Sequence, residues 1–284
     1  MSAARLGLGT AQFGFAYGIT NAAGQVSGDA VPRLLARARE AGIDTLDTAA
    51  GYGEAETVLG TAGAAALGFR IVTKIAGPPS GFADAARASA TRLGAVPDAI
   101  LLHDAAALAG PGGKEVADAL LGLREAGLAR GIGVSVYAPE VLAATLDRLV
   151  PDVVQLPFNV FDRRFERTGW LDRLSGLGVA VHARSLFLQG TLLAAETPPP
   201  LAFAAARFAA FRAACRNGGI TPLAACLSVG LAAPIDRLII GVTAEAELAA
   251  ILAAVDPPPQ PLPALADLAT DDLALIDPSR WQRG

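Results

Sequence analysis

Residues 70–103, RIVTKIAGPPSGFADAARASATRLGAVPDAILLH, contain the repeating unit that decides the fold. The stretch begins with the apolar segment Arg70–Thr73 and ends with Ala99–His103, and both have the Val, Ile and Leu content typical of strands buried on both faces. Between them, Phe82–Leu93 has the apolar periodicity of a helix. A strand, a helix and a second strand in this order are typical of an α/β fold with parallel strands.

The same alternation continues through the whole chain. The other strand candidates are Leu6–Gly9, Thr45–Asp47, Gly131–Val136, Val153–Leu156, Val179–Ala183 and Leu238–Gly241. The other predicted helices are Asp29–Ala41, Glu54–Leu67, Lys114–Leu128, Pro139–Leu149, Thr168–Leu177, Leu201–Cys215, Pro222–Leu231 and Thr243–Ala253, the last with Thr243 as its N-cap. Eight strand–helix units predict a closed (β/α)8 TIM barrel, a single domain over residues 1–284 in which residues 256–284 form a C-terminal tail.

A doubly wound open sheet is the competing architecture. Such a sheet would need a glycine-rich phosphate-binding loop directly after a strand. Neither G-x-G-x-x-G nor G-x-x-x-x-G-K-[ST] follows any predicted strand, and Gly7-Leu8-Gly9 is only an isolated G-x-G. The barrel is therefore the favoured fold.

Composition excludes several classes of protein. Hydrophobic residues make up 52% of the 284 positions, which is enough for a large core, and the net charge of −4 gives no basic surplus for nucleic acid or an anionic membrane. With only two cysteines, a disulfide framework is excluded. With only two histidines as well, a metal site is unexpected. The N-terminus lacks the apolar region of a secretory signal, and no apolar stretch approaches the ~20 residues that span a bilayer. We expect a cytoplasmic protein.

Four reactive side chains follow consecutive strands. Asp47 ends the second strand, Tyr52 lies in the loop after it, Lys74 ends the third strand, and His103 ends the fourth. In barrels the chemistry lies at the carboxyl ends of the strands, so these side chains are expected at one rim. A phenol in water loses its proton only near pH 10, and a neighbouring ammonium stabilises the phenolate. The group predicts an acid that protonates a developing alkoxide, as in carbonyl reduction.

At these residues the chain resembles the aldo-keto reductase family. The matching segments are Gly7–Gln12, Gly42–Glu56, Val72–Lys74, Leu101–Asp104, Gly131–Ser135, Val154–Asn159 and Arg184–Gly190. The resemblance implies Asp47, Tyr52, Lys74 and His103 as a catalytic tetrad, with Tyr52 as general acid and base. It also implies a nicotinamide dinucleotide, bound by Thr10, Asp47, Ser135, Gln155, Arg184, Ser185, Leu186, Gln189, Gly190, Gly241, Thr243 and Glu247.

Three departures from the family pattern bear on the cofactor. Val136 replaces an Asn that binds the carboxamide in many members, and Arg184 stands where many members stack an aromatic ring on the nicotinamide. Arg184 could stack on a flat ring, favour a substrate anion, disfavour the cationic oxidised nicotinamide, or simply pair with a carboxylate. Glu245 and Glu247 stand where NADPH-preferring members place cations. We therefore predict NAD(H) over NADP(H), with Glu247 or Glu245 on a ribose hydroxyl, or alternatively at a helix N-terminus.

Three functions remain open from the sequence. The first is an NAD(P)H-dependent oxidoreductase that reduces an aldehyde or ketone, or catalyses the reverse. The second is an NADH-binding regulatory protein with little turnover that signals redox state to a protein partner. The third is an aldolase or isomerase that uses Lys74 as a Schiff-base amine. The substrate pocket is expected from the loops after strands four and seven and from the tail, and residues that either line its mouth or merely pack are Phe13, Phe15, Tyr17, Phe158 and Phe161. His182 is interpreted as structural.

Overall fold

The computed structural model describes residues 2–281, and its centre is a closed barrel of eight parallel strands. Each strand pairs with the next one along the chain, and the last pairs with the first. The strands are β1 Leu6–Gly9, β2 Thr45–Asp47, β3 Arg70–Ile75, β4 Ala99–Leu102, β5 Gly131–Ser135, β6 Val153–Pro157, β7 Ala180–Arg184 and β8 Arg237–Gly241. The predicted single-domain TIM barrel is confirmed.

Helices cover the outside of the barrel. They are α1 Ala11–Gly14, α2 Val31–Glu40, α3 Ala55–Thr61, α4 Phe82–Leu93, α5 Ala106–Ala109, α6 Gly113–Glu125, α7 Pro139–Leu146, α8 Arg164–Arg167, α9 Trp170–Gly176, α10 Ala205–Asn217, α11 Pro222–Ala232, α12 Glu245–Ala254 and α13 Leu273–Ile276. The predicted helix Glu54–Leu67 is too long. It ends at Thr61 because the chain turns at Gly63, whose φ of 67° is left-handed. Within residues 2–281, no helix has both the length and the apolarity needed to cross a bilayer.

Strand alternation divides the apolar residues into two sets. Leu46, Ile71 and Ile100 belong to the large core between the strands and the helices. A smaller cluster, which includes Val72 and Leu101, occupies the alternate strand positions that face the barrel interior. Side chains two residues apart on a strand share a face. The polar residues two positions after these inward-facing apolar residues therefore also point inward, and they lie at the carboxyl end of the barrel.

Two strands extend past their predicted ends to include a charged residue. β3 continues to Ile75, so that Lys74 lies within the strand, and β7 includes Arg184. Both charged residues are in the parallel ladder, where Lys74 is opposite Leu101 and Arg184 is opposite Pro157. An inward-facing charged side chain near a strand end interrupts the apolar pattern. The strand end predicted from the apolar run therefore comes before the true end of the strand.

The predicted tail packs against the side of the barrel near α8 and α10. The Thr270 N–H donates to the Phe161 carbonyl (2.8 Å), and the Arg207 guanidinium donates to the Leu268 carbonyl (2.7 Å). Trp281 is buried and donates its indole N–H to Leu275. The last residues of the predicted tail, 282–284, lie outside the described residues.

Candidate active site

A buried ion pair lies at the carboxyl end of the barrel. The Lys74 ammonium donates to both carboxylate oxygens of Asp47, each at 2.8 Å, and to the Thr48 carbonyl at 2.9 Å. The side chains of Lys74 and Asp47 are only 1% and 6% exposed. Burial alone would lower the pKa of Lys74, but Asp47 and Tyr52 more than offset it, so the pKa is raised. The amine is therefore a fixed ammonium at neutral pH.

The Tyr52 hydroxyl lies beside this ammonium. The distance from Lys74 Nζ to the phenol oxygen is 3.4 Å, and Nζ is 4.9 Å from the ring centroid. The loop that carries Tyr52 is anchored to β3, because the Ala50 N–H donates to the Lys74 carbonyl (3.0 Å). Gly14 packs directly on this loop: a Cβ there would lie 1.6 Å from the Tyr52 carbonyl oxygen. Gly14 therefore allows the close approach that fixes the height of the phenol.

His103 completes the group one residue after β4. Its backbone N–H donates to the Ile75 carbonyl (2.9 Å). Its ring packs edge-on against the Tyr52 ring, with the two centroids 5.9 Å apart. Burial, with a contribution from the Lys74 charge, lowers the pKa of His103. At neutral pH the imidazole is uncharged and can donate one hydrogen bond. Four side chains from three successive strand ends thus meet at one place.

A single cavity connects these residues with the rest of the predicted site. Its volume is about 690 Å³. All the predicted site residues line it: Thr10, Asp47, Tyr52, Lys74, His103, Ser135, Gln155, Arg184, Ser185, Leu186, Gln189, Gly190, Gly241, Thr243 and Glu247. The cavity therefore extends from the end of β2 to the loop after β8.

Ser135 and Gln155 form one wall of this cavity. They lie opposite each other on β5 and β6, and both are buried. Gln155 donates its Nε2 to Asp47 (2.6 Å), while its buried Oε1 has no hydrogen-bond partner within residues 2–281. An unsatisfied buried acceptor is costly, and an amide N–H of a ligand could satisfy it. Val136 is fully buried and does not line the cavity.

The loop after β7 has the features of an anion-binding turn. Ser185, Leu188 and Gln189 have φ values of 63°, 48° and 53°, which are rare for residues with a Cβ. In the described part of the chain, the backbone N–H groups of Leu186, Gln189 and Gly190 donate to no protein acceptor. Free N–H groups in a turn of this kind can cradle phosphate oxygens.

This loop is held by Ile19 and Thr20, in the segment after β1, and the sequence does not predict either contact. The Ile19 N–H donates to Gln189 Oε1 (3.2 Å), and the Thr20 hydroxyl donates to the Gln189 carbonyl (2.8 Å). A Cβ on Gly190 would lie 2.1 Å from the Thr20 hydroxyl oxygen. Tyr17 and Thr20 also line the cavity. No single residue of this segment has a recognisable functional pattern, so only the contact reveals it.

The region after β8 differs from the prediction in one respect. Thr243 is not the N-cap of α12; Ala244 occupies that position with an extended backbone. The Thr243 N–H instead donates to Glu247 Oε2 (2.6 Å), so Glu247 satisfies a free donor at the start of the helix. Glu245 pairs with Arg33 of α2 (2.6 Å), a cation that the sequence gives no reason to place here.

The predicted substrate pocket needs two corrections. Phe13, Phe158 and Phe161 are fully buried and pack in the core, whereas Phe15 packs edge-on against Tyr52 and Tyr17 lines the cavity. Among the described residues, the lining includes none of residues 105–113 and none of residues 256–281, although the loop after strand four and the C-terminal tail are both predicted to contribute. That loop forms a short helix, α5, which packs on α6 and α7.

His182 lies on β7, two residues before Arg184. Its Nδ1 is buried without a hydrogen-bond partner in residues 2–281, and burial lowers the pKa of the imidazole to about 4. It is therefore neutral in the folded protein at pH 7, as expected for a structural histidine.

This pKa predicts a pH-dependent loss of stability. In the unfolded chain a histidine titrates near pH 6.5, so between pH 6.5 and pH 4 the unfolded state binds the extra proton and folding weakens as the pH falls. From pH 7.5 to pH 4.5 we expect His182 to account for roughly 2–3 kcal/mol of the drop in unfolding free energy. Urea titrations of the wild type and of His182→Gln measure this part of the drop, which should be missing from the variant. If the unfolding free energies of the wild type and of His182→Gln fell in parallel as the pH is lowered, the assignment to His182 would be contradicted.

Comparison with known proteins assigns the family. The model of the aldo/keto reductase family matches residues 5–260. The holo form of the aldo-keto reductase AKR11C1 from Bacillus halodurans superposes with a TM-score of 0.77 and 20% identity, covering 97% of this chain and 95% of that chain. The glycerol dehydrogenase AKR11B4 from Gluconobacter oxydans gives 0.70 and 21%, covering 96% and 92%. None of the curated proteins searched matches. Because the family model spans the entire barrel, the chain belongs to the aldo/keto reductase family.

Proposed function

We propose that the protein is a nicotinamide-dinucleotide-dependent carbonyl reductase, working in either direction, with Tyr52 as general acid and base. Family membership supports an oxidoreductase that interconverts carbonyls and alcohols. The observation that carries the finer assignment is the Lys74 ammonium, which is held between the Asp47 carboxylate and the Tyr52 hydroxyl at the wall of the cavity. The glycerol dehydrogenase among the structural neighbours is consistent with the alcohol-oxidising direction.

Each residue of the group has a distinct task. The Lys74 ammonium lies 3.4 Å from the phenol oxygen, and its positive charge stabilises the phenolate left when Tyr52 gives its proton to the substrate oxygen. Asp47 holds the ammonium in place. Neutral His103 can donate a hydrogen bond to the same substrate oxygen and orient it.

The dinucleotide would lie along the cavity. Its carboxamide would meet the free Oε1 of Gln155 and the hydroxyl of Ser135, and its phosphates would meet the N–H groups of the loop after β7. When bound, the dinucleotide supplies a hydride to the carbonyl carbon. Because Val136 does not line the cavity, the carboxamide would have fewer protein partners than the family pattern provides.

We further propose that NADH binds more tightly than NADPH. No Lys or Arg is among the described residues that line the cavity beyond β8, whereas Glu247 is. Arg33 is close by, but its charge is balanced by Glu245. A 2′-phosphate would therefore face a carboxylate with no compensating cation, while a 2′-hydroxyl could donate to it.

The proposed preference for NADH predicts a measurable difference between the dissociation constants of NADH and NADPH. We expect NADH to bind at least about tenfold more tightly than NADPH, which corresponds to ~1.4 kcal/mol. Glu247→Gln removes the repulsion of the 2′-phosphate and should reduce the ratio of the NADPH to the NADH dissociation constant by about threefold or more. Glu115→Gln is the matched control, because Glu115 lies in the first turn of α6, away from the cavity. Tighter binding of NADPH by the wild type would contradict the preference.

Transient kinetics test the function itself. Stopped-flow oxidation of bound NADH with a panel of aldehydes, ketones and aldoses should give turnover with at least one member. Tight NADH binding with negligible turnover across the panel would favour the regulatory alternative. The Schiff-base alternative is disfavoured, because its amine must be uncharged and the pKa of Lys74 is raised. Covalent trapping of Lys74 by borohydride with a carbonyl compound would reinstate it.

A further inference from the structure

The Arg184 guanidinium lines the active-site cavity and has no carboxylate partner among residues 2–281. Within the described residues its hydrogen bonds go to two neutral groups, the Val136 carbonyl (3.3 Å) and the Ser185 hydroxyl (3.4 Å). The predicted alternative that Arg184 pairs with a carboxylate is therefore wrong for residues 2–281. In contrast, Arg164 pairs with Asp162 at 2.8 Å.

The guanidinium is also fixed in position. Its central carbon lies over the Tyr137 ring, 4.0 Å from the ring centroid, and this contact adds to the two long hydrogen bonds that hold it. Its Nε is buried without a hydrogen-bond partner in the described chain. A charged side chain that is held in place and incompletely satisfied is poised for a ligand, because little ordering is needed when an anion binds.

The charge lies at the reactive end of the cavity. Arg184 lines the same space as Tyr52 and His103. The other charged groups that line this end, Asp47 and Lys74, neutralise each other in direct contact, and Asp104, which follows His103, does not line the cavity. After burial and Lys74, Arg184 is among the groups that lower the pKa of His103, which is consistent with its closeness. The described residues that line the reactive end therefore carry one uncompensated positive charge, that of Arg184.

We propose that Arg184 binds a carboxylate carried by the substrate, so that the preferred substrates are oxo acids: aldehydes or ketones with a carboxylate a short distance from the carbonyl. The planar fork of a guanidinium matches the two oxygens of a carboxylate. Each terminal nitrogen has a second N–H beyond the one used in the protein. The proposal rests on the proposed function, because it assumes that the carbonyl faces Tyr52.

Binding probes that differ only in charge test this proposal without turnover. Oxamate and succinamate each carry a carboxylate and an amide carbonyl, and oxamide and succinamide are their neutral counterparts. Isothermal titration into the protein, with and without NADH, should show at least one anion binding roughly 10- to 100-fold more tightly than its diamide, the range of a charge-assisted hydrogen bond. A wild type that binds neither anion more tightly than its diamide overturns the proposal.

Variants assign any preference to Arg184. Arg184→Gln should reduce the anion preference to within about threefold, and Arg184→Lys should keep part of it, because the charge stays while the planar fork is lost. The matched control is Arg173→Gln, which removes a guanidinium stacked 4.6 Å from the Trp170 ring centroid, outside the cavity. A preference that survives Arg184→Gln overturns the proposal. So does an equal loss of affinity for anion and diamide that accompanies weaker NADH binding, since Arg184 would then serve the cofactor.

A kinetic comparison separates this proposal from the proposed function. The ratio of kcat/KM for succinic semialdehyde to that for butanal should be high in the wild type and should fall about tenfold or more in Arg184→Gln. Turnover of both aldehydes with a ratio that is insensitive to Arg184 refutes the oxo-acid preference and leaves the reductase intact. An Arg184-dependent preference for oxamate or succinamate without turnover of any carbonyl supports the carboxylate site and refutes the reductase.

Discussion

Replacing Tyr52 by Phe should lower the rate of NADH oxidation by roughly 100- to 10,000-fold, the range of a positioned general acid. The substitution removes one oxygen and leaves the ring that packs edge-on against Phe15 and His103, so the cavity should keep its shape. The dissociation constant for NADH should therefore change less than about threefold. Single-turnover kinetics and fluorescence titration measure the two quantities.

A second phenol serves as the control for that substitution. Tyr137→Phe also removes one hydroxyl from a cavity-lining ring, but this ring lies under Arg184 and has no contact with Lys74. Its effect on turnover should stay below about tenfold. If Tyr52→Phe retained turnover within tenfold of the wild type, Tyr52 would not be the proton donor.

Replacing Lys74 by Met should destabilise the fold as well as stop the chemistry. Asp47 would be left as a buried carboxylate without its ammonium, and breaking a buried pair in this way typically costs about 3–5 kcal/mol. Urea unfolding measures the loss. In the double variant Asp47→Asn/Lys74→Met, which buries no charge, we expect part of the stability to return while activity stays lost.

Lys114 offers the matched comparison. It pairs with Asp118 at 2.6 Å, but both side chains are well exposed, at 79% and 59%. Exposed pairs of this kind contribute about 0–1 kcal/mol because water screens them. Lys114→Met should thus be nearly silent. Equal effects of the two lysine substitutions would show that burial of the Asp47–Lys74 pair does not control stability.

The sequence predicts the barrel well because its signal is local. Apolar runs such as Gly131–Val136 and Val153–Leu156 identify strands, and the rule that chemistry lies at the carboxyl ends of barrel strands predicts that Asp47, Lys74 and His103 converge. Strand ends are predicted less well where a charged residue faces the barrel interior, as Lys74 and Arg184 do. A charged residue after an apolar run is typical of a loop, so the sequence pattern places both residues outside the strands although their backbones pair in the sheet.

Contacts between distant segments were beyond prediction. Arg33 and Glu245 meet because α2 packs beside α12, and nothing in either helix specifies the other. The close approach of Gly14 to Tyr52 is likewise a property of the packed structure, since an isolated glycine in the sequence indicates only conformational freedom. The same is true of Thr20, whose contact with the loop after β7 depends on how two loops meet above the barrel.

A crystal structure of the protein with NADH tests most directly whether these residues form one catalytic centre. We predict that the carboxamide contacts Ser135 and Gln155, that the phosphates contact the loop of residues 185–190, and that the reactive carbon of the nicotinamide faces the Tyr52 hydroxyl. A dinucleotide bound with its nicotinamide away from Tyr52, or a Tyr52 hydroxyl turned away from Lys74 in the complex, would contradict the proposed chemistry.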